Sequence, residues 1–251
     1  MTYAIPGEAP DGGGPIGDTY GAVIARVDTA GPVVEALRGI RFTGWIAPAE
    51  DGWVVALGDP GDGTVATGRS GVLEVGAALA AALDSVVVVA RVVLDRQLVL
   101  AAWRGRDEVG RYSSDPSRER GADEEVLAEP YGVEHADAFA AAVGREDAAE
   151  ELADVLGEEL DPDSVYESER LASVLRLLGL PGWVVAAGAL PRDIPTGPTR
   201  AGLVRLRAGV EGPKGVVPGR ATAAARRRMP PPPAIAEPPR AGDLGIDPFL
   251  L

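Results

Sequence analysis

The sequence predicts an α+β fold: an antiparallel β-meander sheet with a packed helix, then a helical subdomain and a disordered Pro/Arg-rich C-terminal tail. Three observations predict it. Apolar, β-branched runs between residues 20 and 112 are joined by short polar connections. From about residue 119 the apolar spacing changes to that of helices. Beyond Glu211 periodicity disappears among prolines, glycines and arginines. The expected divisions are a flexible leader over 1–18, a sheet domain over 19–118 and a mainly helical subdomain over 119–208. A linker over 209–243 and a short apolar motif over 244–251 complete the chain.

The elements follow in order. Tyr20 to Val27 has strand character, and Pro32 opens a short helix that Gly39 stops. Ile40 to Ala47 and Trp53 to Leu57, separated by Pro48 to Gly52, form a hairpin. Ser70 caps a helix whose narrow face of Val72, Gly76, Leu79, Ala80 and Leu83 suits close approach to a sheet. Val86 to Leu94 is nearly continuous aliphatic sequence and reads as a central strand buried on both sides. Asp95 and Arg96 reverse the chain into Gln97 to Trp103, and Glu108 to Tyr112 follows as a third strand.

Helices are expected over 135–143, 146–160 and 163–178. In the last, Asp161 caps, Pro162 occupies the first turn, and Leu171, Val174, Leu175 and Leu178 form the buried stripe. Trp183 to Ala187 reads as a further strand, 191–198 as a loop and Leu203 to Arg207 as a short strand. After Glu211 the chain is expected to stay extended and unordered.

Composition closes off much chemistry. The 251 residues hold no cysteine and one histidine, His135, and Lys214 is the one lysine. Thiol nucleophiles, cysteine-ligated metals, disulfides and a lysine-based P-loop are excluded. A net charge of −14 disfavours nucleic acid and anionic lipid and favours basic or neutral protein partners. The most apolar window, Val72 to Trp103, contains Glu74, Asp84, Arg91, Asp95 and Arg96, so no membrane span is expected. With no positively charged start leading into an apolar core, a cytoplasmic location is expected.

Several motifs are candidate sites. Gly61-Asp62-Gly63-Thr64-Val65-Ala66 has the spacing of a dinucleotide-binding turn, but no helix begins at once, so an exposed loop is the better reading. His135 shares a helix face with Phe139 and Val143, which suits packing or capping. Glu167 and Glu169 diverge on their helix, leaving Glu167 to meet Arg170 as a surface ion pair or a helix-to-sheet contact. Arg111, Tyr112 and Asp115, and separately Arg192 and Asp193, border apolar elements as possible recognition loops. Arg226 to Arg228 lack interleaved aromatics, so they offer nucleic acid only a salt-sensitive, unspecific contact.

The terminus Leu244, Gly245, Ile246, Asp247, Pro248, Phe249, Leu250, Leu251 has the form of a linear motif on a flexible line. Ile246 to Phe249 is similar to the acidic, proline-phenylalanine tip of bacterial single-stranded-DNA-binding proteins, which docks partner enzymes. Leu250 and Leu251 separate Phe249 from the terminal carboxylate here. Leu244-Gly245-Ile246 likewise resembles the opening of encapsulin cargo-loading peptides, with Asp247, Pro248 and Phe249 in place of small residues. Neither likeness extends beyond the last few residues.

The expectation is a non-enzymatic, cytoplasmic interaction or adaptor protein. Its acidic helical surface, or partner-binding Leu244, Ile246, Asp247, Pro248, Phe249, Leu250 and Leu251, would contact another protein, with no cofactor or metal. The alternative is a hydrolase in which carboxylates gather around a metal ion.

Overall fold

The computed structural model describes residues 17–158, 166–190 and 192–244. Its centre is an antiparallel sheet of eight strands: β1 (Tyr20–Arg26), β2 (Gly44–Ile46), β3 (Trp53–Gly58), β4 (Val86–Val93), β5 (Gln97–Arg104), β6 (Asp107–Ser113), β7 (Val204–Arg207) and β8 (Val210–Glu211). They lie in the order β6-β5-β4-β1-β3-β2-β7-β8, so the meander β4-β5-β6 is joined to the hairpin β2-β3 through β1. Late in the chain, β7 completes the sheet by pairing with β2, Trp45 opposite Arg205.

Helices cover both faces. On one, α1 (Ala30–Gly39) and α2 (Val72–Leu83) pack on Val23, Val54, Val87, Val89, Val99 and Trp103. On the other, α3 (Ala136–Val143), α4 (Ala149–Gly157) and α5 (Glu167–Leu177) pack on Ile24, Val55, Val88, Leu98, Leu100 and Tyr112. Successive strand side chains point to opposite faces, and here each face has a cover, which explains the continuous aliphatic run of β4. Its Val87 to Val92 are all buried.

The narrow face of α2 behaves as its sequence implies. A Cβ at Gly76 would come within 2.3 Å of Val89 Cγ2 and 3.1 Å of the Trp103 ring, so only glycine lets the helix lie this close. The start of α2 differs from expectation. Ser70 Oγ donates to Thr67 O at 2.8 Å and closes a turn, while the Glu74 carboxylate takes the Gly71 N–H at 2.7 Å. The carboxylate one turn in thus replaces the serine cap.

The β4-β5 connection supplies a cap elsewhere. Leu94 and Asp95 both have positive φ, which turns the chain tightly, and Asp95 reaches the first turn of α5. Its Oδ1 accepts Ser168 N–H at 2.7 Å and its backbone oxygen accepts Glu167 N–H at 3.2 Å. The expected caps Asp161 and Pro162 lie outside the described residues, and α5 begins at Glu167.

One segment departs from expectation. Trp183 to Ala187 is not a strand: Gly182–Ala189 is a 3₁₀ helix that buries Trp183, Val184 and Ala187 on the α5 side. A short aliphatic run carries no signal separating the two, and packing over the sheet rather than along its edge decided it. The segment 209–243 carries short elements of its own. It contains β8 and an α-helix, α6 (Val216–Arg226), and then crosses the α1-α2 side as an extended strap. Pro218 falls in the first turn of α6, where a missing N–H costs nothing, and the alanines behind it favour helix.

Candidate functional site

The strap is fixed by polar contacts along its length. Thr64 Oγ1 donates to Met229 O at 2.5 Å and Arg69 Nε to Pro230 O at 2.9 Å. Ala234 is buried with the α2 core. Its N–H donates to Glu119 Oε2 at 3.0 Å, and its carbonyl accepts from Arg111 Nη1. Further on, Leu127 N–H donates to Pro239 O at 3.2 Å, Ala241 N–H to Glu125 O at 3.0 Å, and Arg240 pairs with Asp123 at 3.1 Å.

Glu119 is the hub beneath it. Buried to 6 % exposure, it also accepts Arg91 Nη2 at 2.8 Å and Gln97 Nε2 at 3.1 Å through Oε1. One carboxylate therefore neutralises the guanidinium of a central strand and holds the strap's backbone. Such a pair depends on its hydrogen bonds to offset desolvation.

Arg226, at the end of α6, is the corresponding anchor on the other side. Its guanidinium donates to Thr43 Oγ1 at 2.9 Å, Val65 O at 2.8 Å and Arg41 O at 2.8 Å. Burial holds its pKa below the usual arginine value. The arginine run thus divides by helix geometry. Arg226 turns inward and is not available to nucleic acid, whereas Arg227 and Arg228 are exposed.

By holding α6 against the sheet, these contacts create a cleft of 860 Å³. Its walls come mainly from the loop Asp59 to Thr64, strand β7 and the face of α6 that carries Val216, Gly219, Arg220, Ala223 and Arg227, with Thr43, Arg120 and Pro230 at its margins. Six arginines line it, at 120, 205, 207, 220, 226 and 227, against Asp59 and Asp62. Arg205 stacks on the Trp45 ring, 4.5 Å from its centroid, and pairs with Asp59; Arg120 lies 3.8 Å from Asp62. Among the described residues Arg207, Arg220 and Arg227 make neither an ion pair nor a side-chain hydrogen bond. Nothing in the sequence pattern marks this cleft, because its arginines are scattered over more than a hundred positions and α6 lies in apparent low complexity.

Of the residues singled out in the sequence, Arg226 and Arg227 and the Gly61-Asp62-Gly63 turn border this cleft, and the others fall elsewhere. That turn borders the cleft, but α2 starts only at Val72, and a Cβ at Gly61 would sit 2.4 Å from Tyr20 Cα. Gly61 is therefore explained by close packing on β1. His135 ends a 3₁₀ turn at the start of α3, but its ring makes no cap hydrogen bond to that helix; it packs on β6, with Nδ1 2.8 Å from Arg111 O. Arg111 sits on β6, forked onto Glu108 at 2.7 Å by both Nε and Nη2. Tyr112 is fully buried and donates to Leu156 O at 2.9 Å, which places it in the core. Asp115 caps a short 3₁₀ turn through Ser117 N–H at 3.1 Å. Arg192 and Asp193 are exposed, and Asp193 Oδ1 accepts Arg200 N–H at 2.7 Å. Leu244 ends the described chain, and Ile246, Asp247, Pro248, Phe249, Leu250 and Leu251 lie outside it.

Glu167 and Arg170 form a buried pair rather than a surface one. Arg170 Nε is 3.1 Å from Glu167 Oε2, near enough for Coulombic attraction but not aligned as a hydrogen bond. The Arg170 Nη atoms instead donate to Val155 O, Leu156 O and Glu158 O, tying α5 to the end of α4. Burial raises the Glu167 pKa, opposed by Arg170. Among the described residues no three His, Asp or Glu side chains gather as metal ligands, so the hydrolase alternative gains no support from the geometry. Among the described residues no helix is long and apolar enough to cross a membrane. The chain matches no protein-family model, no curated protein and no solved structure.

Proposed function

We propose that this protein is a non-enzymatic, cytoplasmic interaction module whose acidic helical layer receives a basic protein surface, with residues 244–251 making a second contact. One observation carries the reading. While α4 buries Leu152 and Leu156, it leaves Glu150, Glu151, Asp154 and Glu158 on its outer side, and Asp137 of α3 with Glu146 and Asp147 before α4 extend the same charge. Counter-charge is sparse: Arg176 reaches Glu151 at 3.4 Å and Arg145 reaches Asp147 at 3.3 Å, both at exposed positions where such pairs contribute little. A surface of this kind steers a basic partner and selects against acidic ones.

The C-terminal contact is retained with a change in its mechanics. Since Ala241 N–H donates to Glu125 O at 3.0 Å, the motif would start close to that point. Two variants of the full chain test the proposal: E150K/E151K/D154K, and a deletion of residues 245–251. Affinity capture identifies candidate partners, which are then purified and titrated. The expected result is at least about tenfold weaker association for the charge reversal, mainly through a slower on-rate that loses its salt dependence. Deletion should weaken the same complex while leaving the melting temperature unchanged. An identical partner set and identical affinities for both variants would refute the reading.

A further inference from the structure

The arginine-lined cleft is not used by that function and carries charge of the opposite sign. We propose that it binds an organic polyphosphate of nucleotide size. Six arginines converge against two aspartates in a chain whose net charge is −14, so the concentration of positive charge is local and built by the fold. Bringing like charges together is unfavourable unless an anion joins them.

The wall divides into fixed and free parts. Arg205 is immobilised between Trp45 and Asp59, and Arg226 is consumed by its three acceptors in the scaffold. Arg207 from β7 and Arg220 and Arg227 from α6 keep their donors free of partners among the described residues. Arg220 and Arg227 are seven residues apart, two helical turns, and so lie on one side of α6. Three spare planar forks in one cleft call for several acceptor oxygens and several negative charges in a small space. Linked phosphoryl groups supply both, whereas a single carboxylate satisfies one fork.

Dimensions narrow the class further. At 860 Å³ the cleft is in the range of sites for small organic ligands, and it is bounded by α6 on one side and the Asp59 to Thr64 loop on the other. Val216, Ala223, Pro60 and Pro230 add apolar surface for a non-phosphate part of the ligand.

The test uses the full chain and isothermal titration with pyrophosphate, ATP and poly-glutamate, at low and raised ionic strength. Pyrophosphate and ATP should each bind at one saturable site, ATP more tightly, with affinity falling as salt rises. Removing two unpaired arginines in R207Q/R220Q should weaken ATP by about a hundredfold, roughly tenfold for each guanidinium fork removed from the phosphates, while R192Q on a distant loop binds as the wild type. Should R207Q/R220Q lose its cooperative melt, R227Q at the exposed end of α6 carries the same comparison. The proposal is overturned by absence of binding for both phosphates, by equal ATP affinity in wild type and arginine variants, or by binding of poly-glutamate alone.

Discussion

Replacing Glu119 by alanine should weaken the whole fold, and the structure sets the scale. The carboxylate accepts three hydrogen bonds, from Arg91 at 2.8 Å, Gln97 at 3.1 Å and the Ala234 N–H at 3.0 Å. Gln97 keeps Asp115 O at 2.8 Å without it, so the cost falls on the other two. Arg91, only 8 % exposed, would become a buried cation with no counter-charge, and its Nε already lacks an acceptor. Removing one partner of such a pair costs about 3–5 kcal/mol. The stranded Ala234 N–H would add about 1–3 kcal/mol, limited by how far the strap can lift to admit water. A net destabilisation of about 4–8 kcal/mol is therefore expected, a large fraction of the roughly 5–15 kcal/mol typical of a domain.

Urea unfolding followed by tryptophan fluorescence measures it, with the midpoint falling and the slope unchanged. The double variant R91M/E119L removes both charges and keeps apolar volume, so it should recover most of the stability, with a coupling of at least about 2 kcal/mol. A cost below about 1 kcal/mol for E119A, or simple additivity in the cycle, would refute the buried-hub account.

Other expectations concern packing, capping and titration. Gly76→Ala gains about 1 kcal/mol of helix propensity but forces a methyl group against Val89 and Trp103, where overpacking costs about 1–3 kcal/mol. A lower melting temperature is expected, and a higher one would disprove the close α2-sheet contact. Asp95→Ala removes the remote cap of α5 at a cost of about 1 kcal/mol, and the Ser168 amide should exchange faster with solvent. Unchanged exchange there would argue against capping across the two elements. Glu167 has its pKa raised by burial, so the folded state holds a proton that the unfolded chain releases at lower pH. Its favourable contribution is present below the unfolded value and is lost as pH rises through the folded one. Wild-type stability relative to Glu167→Gln should therefore decline from about pH 4 upward and then level off. Paired urea titrations from acid to neutral pH measure this, and a flat or rising difference would contradict the assignment.

Much of the framework was legible because it is local. The β4-β5-β6 meander follows from aliphatic runs with short connections, and α1, α2 and the stripe of α5 follow from their periods and stop signals. Gly76 could be read as a close-packing glycine before its neighbours were known, since a narrow small-residue face has few other uses. The Trp183 to Ala187 segment is ambiguous in sequence because five aliphatic or aromatic residues suit a buried strand and a buried helix equally. Hydropathy says nothing of whether a sheet edge is free to pair with them.

The sequence by itself determined the fold class, the layer-forming segments, and a composition with no thiol, one imidazole and one lysine. Only the tertiary structure decided that residues 209–243 fold back, that Glu119 and Arg226 are anchors, and that six scattered arginines share one cleft. The physical reason is the range of the interactions. Periodic burial is written in neighbouring residues, whereas a carboxylate that meets an amide 115 positions away, or guanidinium groups gathered from residues 120 to 227, leave no local signature.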